Sequence, residues 1–310
     1  MPRRLLGGAA LLTVLCGAVA CSSPGGAGAD PAPAPSPAHE AGSPATAPTA
    51  YHRYVAIGDS YTAAPLVPPT DVSTICLRSG VNYPALVARA MPGTRLTDVS
   101  CSGATTADVT APQEARDGSV PPQIDAVTPR TDLVTIGLGG NDDGLFEAVL
   151  GHCLEVAASD PSGAPCRTAF ARRSPQQLTR TFADIRHHIA GVVRDVRRRA
   201  PDVRVLVIGY PQIVPASGRC EDLPLAAGDY RFGRTINHGL TRAVRRGAAD
   251  ARATYVDLWG PTAGHDICAP DPWINGRVTS AARALAYHPL AVEQRHVADL
   301  VLAALGRPGG

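Results

Sequence analysis

Apolar and polar positions divide most of this chain into an alternation of two patterns. The stretches RYVAIG (53–58), TDLVTIGLG (131–139) and VRVLVIG (203–209) are near-continuous apolar runs, rich in Val and Ile and closed by Gly. Runs of that length and composition predict strands buried on both faces. RLTDVS (95–100) and TYVDLW (254–259) are shorter strand candidates. Three stretches have helical periodicity instead: PQQLTRTFADIRHHIAGVVRDVRRRA (175–200), YRFGRTINHGLTRAVRRGAADA (230–251) and LAVEQRHVADLVLAAL (290–305). The first opens on Ser174 as N-cap with Pro175 in the first turn and ends in an Arg cluster, which suits a helix C-terminus. Strands alternating with helices predict a parallel sheet covered on both faces. Ligands of such sheets bind beyond the carboxyl ends of the strands. Ser60, Asn141 and the GYPQ turn (209–212) are expected at that edge.

The first fifty residues do not follow this pattern. Arg3 and Arg4, an apolar run from Leu5 to Ala20 and small residues before Cys21 give residues 1–20 the layout of a signal peptide, too short for a membrane span. GAVAC resembles a bacterial lipobox, with Ala18 where Leu is more usual, so Cys21 is the expected lipidation site; simple secretion is the alternative. Residues 21–50 are mostly Pro, Ala, Gly and Ser, the composition of a solvated spacer that need not fold. The remainder, 51–310, is of a size for one α/β domain. The chain is therefore expected to be exported, as a cell-surface lipoprotein or else into the medium, with a lipid on Cys21 as its sole tie to a membrane.

Charge and cysteines narrow the classes. A formal net charge of +2 gives no ground for expecting nucleic acid as a partner. Apart from Cys16 and Cys21, six cysteines remain: Cys76, Cys101, Cys153, Cys166, Cys220 and Cys268. In an exported chain they imply a disulfide framework, whose simplest arrangement is sequential: Cys76–Cys101, Cys153–Cys166 and Cys220–Cys268. No C-x-x-C pair or His/Cys cluster has zinc spacing, so neither a metal nor a cofactor is expected.

Four short stretches carry the chemistry. GDSY (58–61), VSCSGAT (99–105) and LGGNDD (138–143) each follow a strand, and YHP (287–289) opens the last helix. Singly, each reads as an ordinary turn or cap. In this order and placement the chain resembles the SGNH hydrolases, the GDSL esterase and lipase superfamily, over essentially the whole domain, and most of all their secreted Streptomyces branch. The resemblance implies a flavodoxin-like three-layer α/β/α sandwich with about five parallel strands. It also implies Ser60 as nucleophile, His288 as general base, and Ser60, Gly103 and Asn141 as the oxyanion hole.

The residue types suit that chemistry. Acyl transfer through a serine needs a base near neutral pH, which imidazole supplies, and donors for the oxyanion, which two backbone N–H groups and an amide supply. Many superfamily members carry Asp three residues before the histidine; here Leu285 stands there. The Streptomyces branch replaces that carboxylate with a main-chain carbonyl, so Leu285 or Ala286 is the expected third member, with Asp271 as a distant alternative. Among the competing histidines, His187, His188 and His238 fall inside predicted helices, and His296 lies two turns beyond His288. Asp59 is expected to brace its turn, and Asp142 and Asp143 to cap the following helix. The function expected is hydrolysis of acyl esters through an acyl-enzyme by a monomer. Phospholipase A or polysaccharide O-deacetylase activity on the same site is the alternative, and a non-catalytic surface binding module is a rival of another class.

Overall fold

A computed structural model of the 310-residue chain describes residues 50–116, 118–173 and 176–306. The signal-peptide, lipobox and spacer readings, and the Ser174 and Pro175 cap, fall outside the described residues. The element order is β1 (Arg53–Gly58), α1 (Ser60–Ala63), α2 (Tyr83–Ala90), β2 (Arg95–Asp98), a hairpin of β3 (Gln113–Ala115) and β4 (Gly118–Val120), and β5 (Leu133–Gly137). Short helices α3 (Leu145–Glu147), α4 (Cys153–Ala157) and α5 (Pro165–Arg173) follow, then α6 (Gln177–Arg199), β6 (Arg204–Ile208), α7 (Tyr230–Asp250), β7 (Thr254–Val256) and α8 (Ala291–Ala304).

Five strands form one parallel sheet in the order β2-β1-β5-β6-β7. Counting only these strands, the order is that of flavodoxin-like sheets, whose switch point falls between β1 and β5. Strand β1 pairs with β5 from Tyr54↔Leu133 to Gly58↔Gly137, so both chains leave the sheet side by side on a glycine. Whatever follows these two glycines therefore meets in one crevice.

The period-2 alternation decides the two faces. Val55, Ile57, Val134, Ile136, Val205 and Val207 point to one face and pack with Ile185, Ile189 and Val193 of α6 and Leu240 and Val244 of α7. Tyr54, Ala56, Leu133, Leu206 and Ile208 point to the other, against Tyr83 and Val87 of α2 and Val297, Val301 and Leu302 of α8. Each fully buried Val, Leu or Ile contributes about 1.5–3 kcal/mol, which makes both layers integral to the fold. Disulfides join Cys76 to Cys101, Cys153 to Cys166 and Cys220 to Cys268.

The three long helices fall where periodicity placed them, and α6 ends on Arg197, Arg198 and Arg199. Helix α2 was not expected. It is only eight residues long and carries Pro84 in its first turn, and what holds it is Asn82, whose side chain accepts from Ala85 N–H. Among the described residues, no helix is long and apolar enough to cross a membrane.

Candidate active site

Strand β1 stops at Gly58 because its backbone is claimed from the side. The Gln123 amide accepts from Gly58 N–H at 2.8 Å and donates to Gly58 C=O at 3.0 Å. A Cβ at Gly58 would lie 2.2 Å from Thr62 Oγ1, so only glycine permits so tight a strand-to-helix turn. Asp59 then caps α1: its Oδ1 accepts from Tyr61 N–H at 2.8 Å. Its Oδ2 accepts from the Tyr210 hydroxyl, and that same hydroxyl oxygen accepts from Gly140 N–H at 2.8 Å. One phenol thus links the turn after β1 to the turn after β5. Burial pushes the Asp59 carboxyl up to about 7, against the hydrogen bonds from Tyr210 and Tyr61. Ser60 follows as the first residue of α1, where a backbone N–H has no intrahelical acceptor. Neither that N–H nor the Ser60 hydroxyl has a hydrogen-bond partner among the described residues.

Two further loops converge on it. The Cys76–Cys101 disulfide and the bonds from Ser102 N–H (3.2 Å) and Oγ (2.7 Å) to Cys76 C=O fix the segment before Gly103. Gly103 has φ +79°, the left-handed region that glycine enters without cost. Its N–H has no protein acceptor among the described residues. Asn141 Nδ2 donates one hydrogen to Ala104 C=O at 2.9 Å, leaving its second amide hydrogen for another acceptor.

The two aspartates after Asn141 do not cap a helix, contrary to expectation. Asn141 itself stands at the N-cap position of the short turn that follows, with no side-chain cap bond. Asp142 is instead turned toward the Gly103 loop, accepting from Thr106 N–H (2.8 Å) and Oγ1 (2.6 Å). Asp143 accepts from Thr181 Oγ1 at 2.9 Å. The Asp142 bonds join the Asn141–Ala104 contact in locking the loops bearing Gly103 and Asn141 to each other, and the Asp143 bond ties the second of these loops to α6.

His288 approaches from the C-terminal segment. Its Nδ1 lies 2.7 Å from Ala286 C=O, which fixes the proton on Nδ1 and leaves the Nε2 lone pair free. Leu285 C=O is otherwise engaged, accepting from His288 N–H (3.3 Å) and Asn275 Nδ2 (3.1 Å). Asp271 faces away: its main-chain and side-chain oxygens lie 2.8 and 3.5 Å from His265 Nδ1. His265 stacks on Trp273, and His296 stacks on that same ring, with centroids 3.8 and 4.0 Å away. The His288 loop is held by buried Asn275, whose N–H donates to His288 C=O (2.8 Å) and whose amide also reaches Val278 and Ala284 carbonyls. Tyr61 joins this loop to the serine turn, its hydroxyl donating to Tyr287 C=O at 2.9 Å and its ring 5.7 Å from the His288 ring. Burial pushes the His288 imidazole below its ordinary 6.5, only partly opposed by the Ala286 carbonyl, so it is neutral at pH 7. No hydrogen bond joins Ser60 to His288 among the described residues. Such bonds commonly tighten only when substrate is in place.

Gln123 and Asn275 went unread in the sequence, and of Tyr210 only its place at the strand edge was expected. Gln123 and Tyr210 bond backbone or carboxylate far along the chain, and Asn275 bonds carbonyls across its own loop; residue type carries no trace of either. Glu293 is a fourth. Buried in α8, its Oε2 accepts from Gln294 Nε2 (2.8 Å), which also donates to Tyr61 C=O (3.0 Å), while Gln294 Oε1 accepts from Tyr83 N–H (2.7 Å). Burial pushes the Glu293 carboxyl up to about 8 from 4.5, against the Gln294 bond. The folded state therefore holds a proton that the unfolded chain releases above the ordinary carboxylate range. Its contribution to stability is full below about pH 4.5 and declines as pH rises toward 8. Glu293→Gln should thus raise stability over wild type by more at pH 8 than at pH 5 in urea titrations. An identical difference at both pH values would show that Glu293 is not protonated in the fold.

The sequence pattern of the GDSL-like lipase/acylhydrolase family matches residues 56–292. Lipase 2 of Streptomyces coelicolor is 40% identical over 261 residues, covering 82% of this chain and 85% of that protein. Among solved structures, phospholipase A1 of Streptomyces albidoflavus NA297 superimposes with TM-score 0.65 at 28% identity, covering 82% of this chain and 99% of the other. The extracellular lipase of Streptomyces rimosus gives TM-score 0.63 at 29% identity, covering 78% and 94%.

Proposed function

The chain belongs to the GDSL-like lipase/acylhydrolase family, and from that premise we propose a serine carboxylic ester hydrolase worked by Ser60 and His288. Ser60 Oγ attacks the ester carbonyl carbon while His288 Nε2 takes its proton. The carbonyl oxygen, now carrying the negative charge, is received by Ser60 N–H, Gly103 N–H and the free Asn141 amide hydrogen. As the tetrahedral intermediate collapses, His288 returns the proton to the leaving oxygen and the alcohol departs, leaving an acyl group on Ser60. Water then attacks the acyl carbonyl with His288 again as base. Collapse of the second intermediate releases the acid and restores the serine.

The observation that carries this reading is the pairing of His288 Nδ1 with Ala286 C=O, which leaves a neutral, proton-accepting Nε2 on a loop that Tyr61 ties to the turn where Ser60 opens α1. Tyr61 and Phe146 rings stack at 5.3 Å beside it and supply an apolar wall for an acyl chain. A second reading, cleavage of phospholipid acyl esters, is favoured by the likeness to the Streptomyces albidoflavus phospholipase A1. Three disulfides fit an oxidising compartment, and with them the N-terminal pattern supports export, with a signal over 1–20, a spacer over 21–50 and Cys21 as anchor.

A fluorophosphonate probe should add one mass equivalent to Ser60 in wild type and none in Ser60→Ala, with parallel loss of p-nitrophenyl butyrate hydrolysis. Labelling at another residue, or turnover retained without Ser60, would overturn the assignment.

A further inference from the structure

A groove of about 1030 Å³ runs between α6 and α7, with Trp259 in its lining. Five arginines line it, Arg186, Arg231, Arg234, Arg242 and Arg246, with Asp250 as the one carboxylate of the lining. The whole chain carries only +2, so positive charge is concentrated here far beyond the average of the molecule. Asp250 is fully taken by Arg186, through bonds of 2.5 and 2.8 Å. Arg234 lies over the Trp259 ring at 5.1 Å and donates to Gln212 Oε1 (3.1 Å) and Val214 C=O (3.0 Å). Arg231, Arg242 and Arg246 are exposed and have no carboxylate within salt-bridge distance among the described residues.

The free arginines form a stripe along one face of α7, about 22 Å long at 1.5 Å per residue. A helix face that merely meets water usually mixes charge signs, since like charges three or four residues apart destabilise by a few tenths of a kcal/mol per pair. Helix α7 has no acidic residue from Tyr230 to Ala249, and it places Arg242 four residues from Arg246. Its bare positive stripe is a standing cost that a bound anion would remove. The groove is concave, and the large hydrophobics exposed among the described residues, Val72 and Val278, lie outside it. That shape and polarity suit a chain lying in a trough and not insertion into a bilayer. Guanidinium forks in series match phosphate oxygens in series.

We propose that this groove binds a linear phosphate polymer, laid along α7 against Arg231, Arg242 and Arg246. The Tyr210–Val214 segment connects the two regions. At one end Tyr210 bonds Asp59, and at the other Val214 C=O accepts from Arg234, so the polymer would be held beside the hydrolytic crevice. The groove thereby localises the enzyme on a polyanionic matrix without taking part in ester cleavage.

Binding of fluorescently labelled inorganic polyphosphate to the full chain would be followed by anisotropy at about 0.05 M and about 0.5 M salt. Saturable binding is expected at low salt, weakened at least about tenfold by Arg231→Glu/Arg242→Glu/Arg246→Glu and by the higher salt. The control Arg116→Glu/Arg130→Glu/Arg295→Glu makes the same change in net charge outside the groove and should cost less than about threefold. Both triple variants should keep wild-type turnover of p-nitrophenyl butyrate, which also reports that they fold. Equal loss in the two triples would overturn the groove in favour of diffuse charge. Competition by orthophosphate at equal phosphate concentration would overturn the extended site. A groove variant that loses binding to phosphatidylglycerol vesicles but keeps polyphosphate would replace the polymer with a membrane surface.

Discussion

His288→Ala is expected to lower kcat/KM for a soluble ester by about 10⁴-fold or more, as does loss of any member of a unit that acts together. Asp271→Asn is expected to cost less than about tenfold. The contrast follows from where the imidazole's second nitrogen goes. In a Ser-His-Asp arrangement the acid sets the tautomer and stabilises the imidazolium as it forms. Here Ala286 C=O at 2.7 Å sets the tautomer as well as a carboxylate would, but it offers the cation only a dipole. Asp271 is committed to His265, which stacks on Trp273. Burial compounds the absence of a counter-charge by holding the imidazole below 6.5. The acidic limb of kcat/KM against pH should accordingly have a midpoint below 6.5, with activity present above it and lost as His288 is protonated. A folded Asp271→Asn variant as damaged as His288→Ala, or an acidic midpoint above 7, would make the carbonyl the wrong partner.

The second large effect is expected at Asn141. Asn141→Ala should reduce kcat by about 10²–10³ with little change in KM, the usual loss of about 3–4 kcal/mol when one oxyanion donor is removed. Asn141→Asp should be at least as damaging, because a carboxylate there cannot donate and repels the developing oxyanion. The side chain also holds Ala104 C=O, so Ala loosens the Gly103 loop as well. Thr106→Val separates the two causes. It removes the hydroxyl contact to Asp142 that locks the same loops but leaves all three donors in place. If Thr106→Val matched Asn141→Ala in kcat, the Asn141 amide would be acting through loop position and not as a donor.

Periodicity along the chain was enough to place the sheet and the long helices. Strands β1, β5 and β6 are near-continuous apolar runs because both their faces are covered, and a run of that kind needs no tertiary information to be recognised. Helices α6, α7 and α8 repeat their apolar positions at the helical period for the same reason, burial on one side. Ser60, Gly103, Asn141 and His288 were singled out through the resemblance of four short stretches, in their order and placement, to the SGNH hydrolases, since each stretch alone reads as an ordinary turn or cap. Tertiary structure alone decided what stands behind them. Asp142 reads as a cap from its neighbours, yet Thr106 captures it from another loop, since a buried carboxylate takes the donors that space supplies. The choice of Ala286 over Leu285 as partner of His288 turns on Asn275, which occupies the Leu285 carbonyl. Gln123, Tyr210 and Gln294 reach the site across tens to hundreds of residues, through bonds that depend on folded distance and leave no mark in local sequence. The same holds for the α7 arginines: along the chain they are scattered basic residues, and only the helix gathers them onto one wall of a groove whose other wall is α6.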